Sequence, residues 1–103
     1  MVSQLRIYTI NTGMMDSWLK LFEDHIRPVH GRLGMPVERS WVNAEGNEFV
    51  WVRSFRDAEE IPGKEEAYFA SPERMALGDT PQKHIAKMEV RVIEPVLTGS
   101  PDP

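Results

Sequence analysis

The chain contains no cysteine. Disulfide bonds, thiolate metal sites and thiol nucleophiles are therefore excluded together, and the composition is compatible with a reducing compartment, so a cytoplasmic protein is expected. The sequence also lacks a basic N-terminal segment followed by an apolar stretch, and it has no apolar run long enough to cross a bilayer. Neither a signal peptide nor a membrane span is predicted.

Positive charge is scarce and scattered. The chain has 12 Lys and Arg against 16 Asp and Glu, a net charge of −4, and no basic run that could follow a phosphate backbone, so no nucleic-acid partner is expected. Walker, G-x-S-x-G and dinucleotide fingerprints are absent, and no cofactor is predicted. His25 and His30 are five residues apart, which does not form a ligand pair on one helix face, so no metal site is predicted.

What is present suits one compact domain. A length of 103 residues and a hydrophobic fraction of 41% support a single core, which we assign to residues 1–97. Residues 98–103 are a polar Gly/Pro tail that is expected to be disordered. A domain of this size gains buried surface by forming oligomers, so a homodimer is expected, with a higher oligomer left open.

Alternating side chains predict four strands. They cover residues 4–10, 35–43, 47–55 and 87–95. The short connection around residues 44–46 forces the second and third strands into an antiparallel hairpin.

Helical spacing of apolar residues between Met15 and Leu33 predicts a long amphipathic helix, which Pro28 should bend. A second helix capped by Asp57 or Glu60 should be interrupted by Pro62-Gly63, with its main body at residues 63–70. Ser71 followed by proline predicts the N-terminus of a short third helix.

The resulting order, βαββαβ, is the ferredoxin-like α+β arrangement: an antiparallel sheet with helices on one face. We expect strands one and three at the centre, running parallel to each other, with strands four and two outside them. The small aliphatic set should meet the helices; it comprises Leu5, Ile7, Val50, Val52, Val90 and Val92. The aromatic and charged set should form the open face, which a second copy would cover to give a dimeric α/β barrel.

Four segments carry a resemblance to a known family. LRIYTIN, EDHIRPVHGRLG, FVWVRSF and EEAYFASPERMAL occur in that order, and together they resemble the NIPSNAP family of the dimeric α/β-barrel superfamily over residues 4–95. The Pro62-Gly63 interruption departs from the continuous second helix expected of such proteins. The resemblance implies a homodimer, and it leaves the activity open, because related barrels include small monooxygenases and haem-degrading enzymes.

The candidate ligand-binding residues share the parity of the predicted open face. Arg53 among aromatic rings can hold an anionic or flat ligand by forked hydrogen bonds and stacking. The candidates are Arg53, Tyr8, Trp51, Glu89 and Arg6, with His25 as a helix residue that could reach the cleft. The alternative is that Arg53 only pairs with Glu89 or another carboxylate inside the dimer. No catalytic residue is assigned.

Three functions therefore stay open: a dimer that binds a small hydrophobic or anionic molecule, a non-catalytic interaction or scaffold module, and a small cofactor-independent monooxygenase. A binding protein should keep a solvent-connected cavity beside Arg53, whereas a scaffold should fill that space with side chains.

Overall fold

The computed structural model describes residues 1–96. The predicted tail at 98–103 lies outside the described residues. Four strands form one sheet in the order β2-β3-β1-β4, namely β1 (Val2–Ile10), β2 (Val37–Val42), β3 (Glu48–Phe55) and β4 (Ile85–Ile93). The helices cover one face, so the predicted ferredoxin-like α+β fold is confirmed.

All neighbouring strands run antiparallel, including the central pair β1 and β3. The expectation that strands one and three are parallel was wrong. The hairpin explains why: β3 turns back from β2 over a short loop and inserts between β2 and β1. The helical crossover then makes β1 parallel to β2, which is not its neighbour.

The assignment of the two sheet faces was wrong for β1 and β3, whereas Val90 and Val92 on β4 do lie on the helix side, opposite Arg6 and Gln4. Tyr8, Phe49 and Trp51 lie under the helices and are at most 5% exposed. Trp18 packs edge-to-face on Phe49 at 5.7 Å between ring centroids, and Phe22 packs on Trp51 at 5.1 Å. Such contacts add about 0.5–1.5 kcal/mol each beyond burial, so the bulky rings form the core.

The open face has an aliphatic centre instead, flanked on β4 by Glu89 and Arg91. Leu5 lies opposite Val52, and Ile7 lies opposite Val50, on the side that faces away from the helices. Trp41 pairs with Val50 on the same side and is 45% exposed.

The long first helix is divided into three parts. Helix α1 (Met15–Leu21) runs into a π-helical segment (Phe22–Ile26) and then into α2 (Arg27–Arg32). Pro28 has no N–H and its ring crowds the carbonyl four residues earlier, so the chain widens, and Arg27 donates to the Phe22 carbonyl five residues back. The predicted bend is therefore a π bulge.

The remaining helices connect β3 to β4. They are α3 (Ile61–Ala70), α4 (Pro72–Leu77) and α5 (Thr80–His84). Pro62 lies in the first turn of α3, where a missing N–H costs nothing, so α3 starts before residue 63 rather than after it. Asp57 caps the preceding 3-10 turn, and Ser71 caps α4 by accepting from the Arg74 N–H, as predicted. Helix α5 was not predicted. No helix within residues 1–96 is long and apolar enough to span a bilayer.

Candidate functional site

Arg53 lies beneath the helices and is only 4% exposed. Its guanidinium donates three hydrogen bonds to three different elements. Nε donates to Gln4 Oε1 at 2.8 Å, Nη1 to His30 Nε2 at 2.8 Å and Nη2 to Glu65 Oε2 at 2.5 Å. These bonds offset part of the cost of burying the charge, and burial still lowers the pKa of Arg53 to about 10. Arg53 therefore remains cationic at neutral pH.

Arg6 is joined to the same acceptors. Its Nη1 donates to Gln4 Oε1 at 2.6 Å and lies 3.4 Å from Glu65 Oε2, while its Nε donates to Tyr8 Oη at 2.7 Å. The register causes this arrangement, because Gln4 lies directly opposite Arg53 and two residues before Arg6 on the same face. Two guanidiniums thus share one amide oxygen and one carboxylate.

His30 is buried and neutral. Its Nδ1 donates to the Ile26 carbonyl at 2.9 Å, which fixes the tautomer and leaves Nε2 to accept from Arg53. Burial, and secondarily the charge of Arg53, lower the pKa of His30 to about 4. The residue therefore serves as an acceptor for Arg53.

A cavity of about 90 Å³ opens to solvent beside this network, between the sheet and the helices α3 to α5. Five aromatic side chains line it: Tyr8, Trp18, Trp51, Tyr68 and Phe69. Three guanidiniums also line it, those of Arg6, Arg53 and Arg74. We call this cavity the arginine pocket.

Tyr68 and Arg74 form the helical side of the arginine pocket. The Tyr68 ring packs on His30 at 4.4 Å between centroids, and burial raises the pKa of Tyr68 to about 12. Its hydroxyl therefore keeps its proton at neutral pH and can donate. Arg74 donates from Nη1 to the Gly78 carbonyl at 2.8 Å and lies over the Phe69 ring.

Four of the six predicted site residues come together in this pocket: Arg6, Tyr8, Trp51 and Arg53. Glu89 does not, because it lies opposite Ile7 on the other face of the sheet and contacts Lys87 at 3.2 Å. Its predicted place beside Arg53 was wrong.

His25 is the other predicted site residue that stays outside the pocket. It is exposed on the π segment and borders a separate surface groove beside α4.

The sequence reasoning missed Gln4, His30, Glu65 and Arg74. Gln4 shares the parity of Arg6 and Tyr8 and was recognisable on that ground. His84 ends α5; it is buried, and its Nε2 lies 2.8 Å from Ser17 Oγ. Within residues 1–96, no group of three or more His, Asp and Glu side chains could hold a metal ion.

Comparisons with known proteins agree with this fold. The NIPSNAP family model matches residues 3–99. An uncharacterised NIPSNAP domain protein from Burkholderia xenovorans is 20% identical, with a TM-score of 0.85 and coverage of 99% of this chain and 100% of that one. A NIPSNAP family protein from Agrobacterium tumefaciens is 18% identical, with a TM-score of 0.86 over 97% and 96% of the two chains.

A more distant fold relative carries a different name. A putative antibiotic biosynthesis monooxygenase from Nitrosomonas europaea is 10% identical, with a TM-score of 0.70 over 93% of this chain and 99% of that one. No curated protein matches the sequence. Since the family model covers nearly the whole sequence, the chain belongs to the NIPSNAP family.

Proposed function

We propose that this NIPSNAP-family chain forms a homodimer in which each subunit binds a small anionic molecule in the arginine pocket. The observation that carries the proposal is the nearly buried Arg53 beside a cavity that is open to solvent. In a scaffold that uses this region only for packing, side chains should fill that space, because protein interiors are close-packed. The alternative was that carboxylates fully neutralise Arg53. Glu65 pairs with Arg53, but the same carboxylate also pairs with Arg6, so it neutralises Arg53 only in part.

The charge balance favours an anion. Three guanidiniums line the arginine pocket, and Glu65 is the carboxylate that pairs with two of them. Guanidinium groups bind carboxylates through charge-assisted hydrogen bonds, which are about twice as strong as neutral ones. The aromatic walls add stacking surfaces for a flat ligand.

The pocket groups favour binding over proton abstraction. His30 is neutral, but its Nε2 is already engaged by Arg53 and its pKa is about 4, so it is a poor base. Burial raises the pKa of Tyr68 to about 12, so its hydroxyl keeps its proton at neutral pH and is available as a donor rather than as a base. The network therefore supplies donors for a ligand that carries acceptor oxygens.

The size of the cavity limits the ligand. A volume of about 90 Å³ corresponds to roughly three water molecules at about 30 Å³ each. The enclosed part of the cavity therefore takes a carboxylate group, and an aromatic ring attached to it must extend into the mouth, because benzene alone occupies a cavity of about 150 Å³. Benzoate is therefore a suitable probe, and benzamide is its neutral counterpart of the same shape.

Isothermal calorimetry with benzoate and benzamide tests the proposal. Wild type should bind benzoate and should prefer it over benzamide by at least about tenfold, the value of one charge-assisted hydrogen bond. Arg6→Gln should remove most of that preference. Arg56→Gln is the matched control, because Arg56 is an exposed arginine outside the pocket lining. Equal affinity of wild type for the two probes, or no binding of either, contradicts the proposal.

The dimer is proposed to form through the aliphatic open face. Leu5, Ile7, Val50 and Val52 form two cross-strand pairs at the sheet centre, and the large side chain of Trp41 extends the patch. A second copy can cover such a patch by packing sheet against sheet about a twofold axis. Sedimentation should then report about twice the chain mass of 11.8 kDa.

A further inference from the structure

Arg74 is a buried cation of the arginine pocket, and within residues 1–96 its charge has no counter-ion. It lies on α4, is 7% exposed and donates to the Gly78 carbonyl. Among the residues that the structure describes, no carboxylate oxygen lies within 4.0 Å of its guanidinium. The adjacent Glu73 is turned to the surface, where it pairs with Arg32 at 2.6 Å.

This situation differs from that of the sheet arginines. Arg6 and Arg53 share Glu65 and Gln4, so that pair already has one negative charge and several acceptors. Arg74 has one backbone carbonyl and the face of Phe69, at 5.4 Å from the ring centroid. An unpaired buried charge is strongly unfavourable, so Arg74 is the group in this pocket with most to gain from an added anion.

The two cationic regions extend from different elements into the same cavity. Arg6 and Arg53 extend from the sheet, and Arg74 extends from α4. Tyr68 is close to both regions. Its ring packs at 4.4 Å on His30, which accepts from Arg53, and at 5.4 Å on Phe69, the ring over which Arg74 lies. A ligand in the cavity can therefore face cations from both elements.

We propose that Arg74 binds a second anionic group of the ligand, and that the ligand class is a small dicarboxylate with one carboxylate near Arg6 and Arg53 and the other at Arg74. The inference rests on the proposed function, since it concerns the same pocket. Three guanidiniums against one carboxylate leave a charge that a dianion neutralises and a monoanion does not.

The test compares each benzenedicarboxylate with its own monoamide, which has the same shape and one charge fewer. Phthalate, isophthalate and terephthalate vary the spacing of the two carboxylates. With wild type, at least one dicarboxylate should bind about tenfold or more tightly than its monoamide, the value of one charge-assisted contact. Arg74→Gln should reduce that ratio to about one, Arg74→Lys should retain part of it, and Arg56→Gln should retain all of it.

The outcomes separate the two proposals. If wild type binds benzoate but prefers no dicarboxylate over its monoamide, the role of Arg74 is refuted while anion binding stands. If Arg74→Gln, shown by circular dichroism to be folded, keeps the preference, the second carboxylate is bound elsewhere and the inference is again overturned. If benzoate itself does not bind, the proposed function falls first. The wild-type comparison decides the matter even if Arg74→Gln does not fold.

Discussion

Arg53 donates a hydrogen bond to Nε2 of His30 at 2.8 Å, with both side chains almost completely buried. The bond requires a neutral imidazole, because a protonated ring has no acceptor nitrogen and would carry a charge beside the guanidinium. Burial and the nearby charge of Arg53 lower the pKa of His30 to about 4, which keeps the ring neutral at neutral pH. His30 thereby holds Arg53 in the position from which it lines the arginine pocket.

The first prediction concerns pH. In the unfolded chain His30 takes up a proton near pH 6.5, whereas in the folded chain it does so only near pH 4. The free energy of unfolding should therefore fall as the pH drops from about 6.5 to about 4, by on the order of 3 kcal/mol from this group. Urea denaturation at several pH values measures the slope. His30→Gln should flatten it in that window, and His25→Gln, at an exposed position, should not. Equal slopes for the two variants contradict the assignment.

The second prediction concerns the shared carboxylate. Glu65→Gln removes the charge that Arg6 and Arg53 share, and it should lower the free energy of unfolding by roughly 1–3 kcal/mol, the lower end reflecting the partly exposed Glu65. The same change should strengthen benzoate binding, because the added anion no longer competes with a resident one. Glu66→Gln, at the exposed neighbour, is the control. Weaker benzoate binding by Glu65→Gln than by Glu66→Gln contradicts the account.

A third prediction uses two glycines near the end of α2. Gly34 has φ +78°, and a Cβ there would come within 2.6 Å of Lys64 Nζ, so Gly34→Ala should destabilise the fold by about 1–2 kcal/mol. Gly31 is helical, and a methyl group added there would meet open space, so Gly31→Ala should be neutral or stabilising by up to about 1 kcal/mol. Thermal denaturation should show a lowered midpoint for Gly34→Ala and an unchanged or raised one for Gly31→Ala, and a stabilised Gly34→Ala protein refutes the backbone argument.

The fourth prediction concerns the dimer. Val50→Glu places a charge in the middle of the aliphatic open face and should convert the dimer into a monomer, because a carboxylate cannot be buried there without a partner. Met75→Glu, on α4 at a residue 67% exposed, should leave the mass unchanged. Sedimentation velocity at micromolar concentration measures both. A monomeric wild type, or a dimeric Val50→Glu protein, rules out this interface.

Sequence patterning identified the sheet but could not say which face the helices cover. Alternation places Arg53, Trp51 and Phe49 on one face with certainty, since successive side chains point in opposite directions. Alternation does not show which of the two faces packs against the helices, because an aliphatic set and an aromatic set can each form a core. The large rings of Trp18 and Phe22 on the first helix decide the matter by packing on their aromatic counterparts in β3.

The pocket was predicted on its sheet side and missed on its helical side. Strand alternation, with its period of two, placed four of the lining residues on one face: Arg6, Tyr8, Trp51 and Arg53. His30, Glu65 and Arg74 depend on the rotation of helices about their axes, and a π bulge or a proline near a helix start changes that rotation. In the sequence these features appear only as Pro28 and Pro62. How the two prolines change the directions of the helical side chains could be seen only in the structure.

The location of the bound anion is the central claim, and the indole N–H signals of the three tryptophans test it directly. Trp18 and Trp51 line the arginine pocket, whereas Trp41 lies on the open sheet face. In a ¹⁵N-labelled sample titrated with benzoate, with signals assigned from single Trp→Phe variants, the Trp18 and Trp51 resonances should move along one saturable curve and that of Trp41 should stay in place. A shift of Trp41 alone, or of none of the three at saturating benzoate, contradicts anion binding in this pocket.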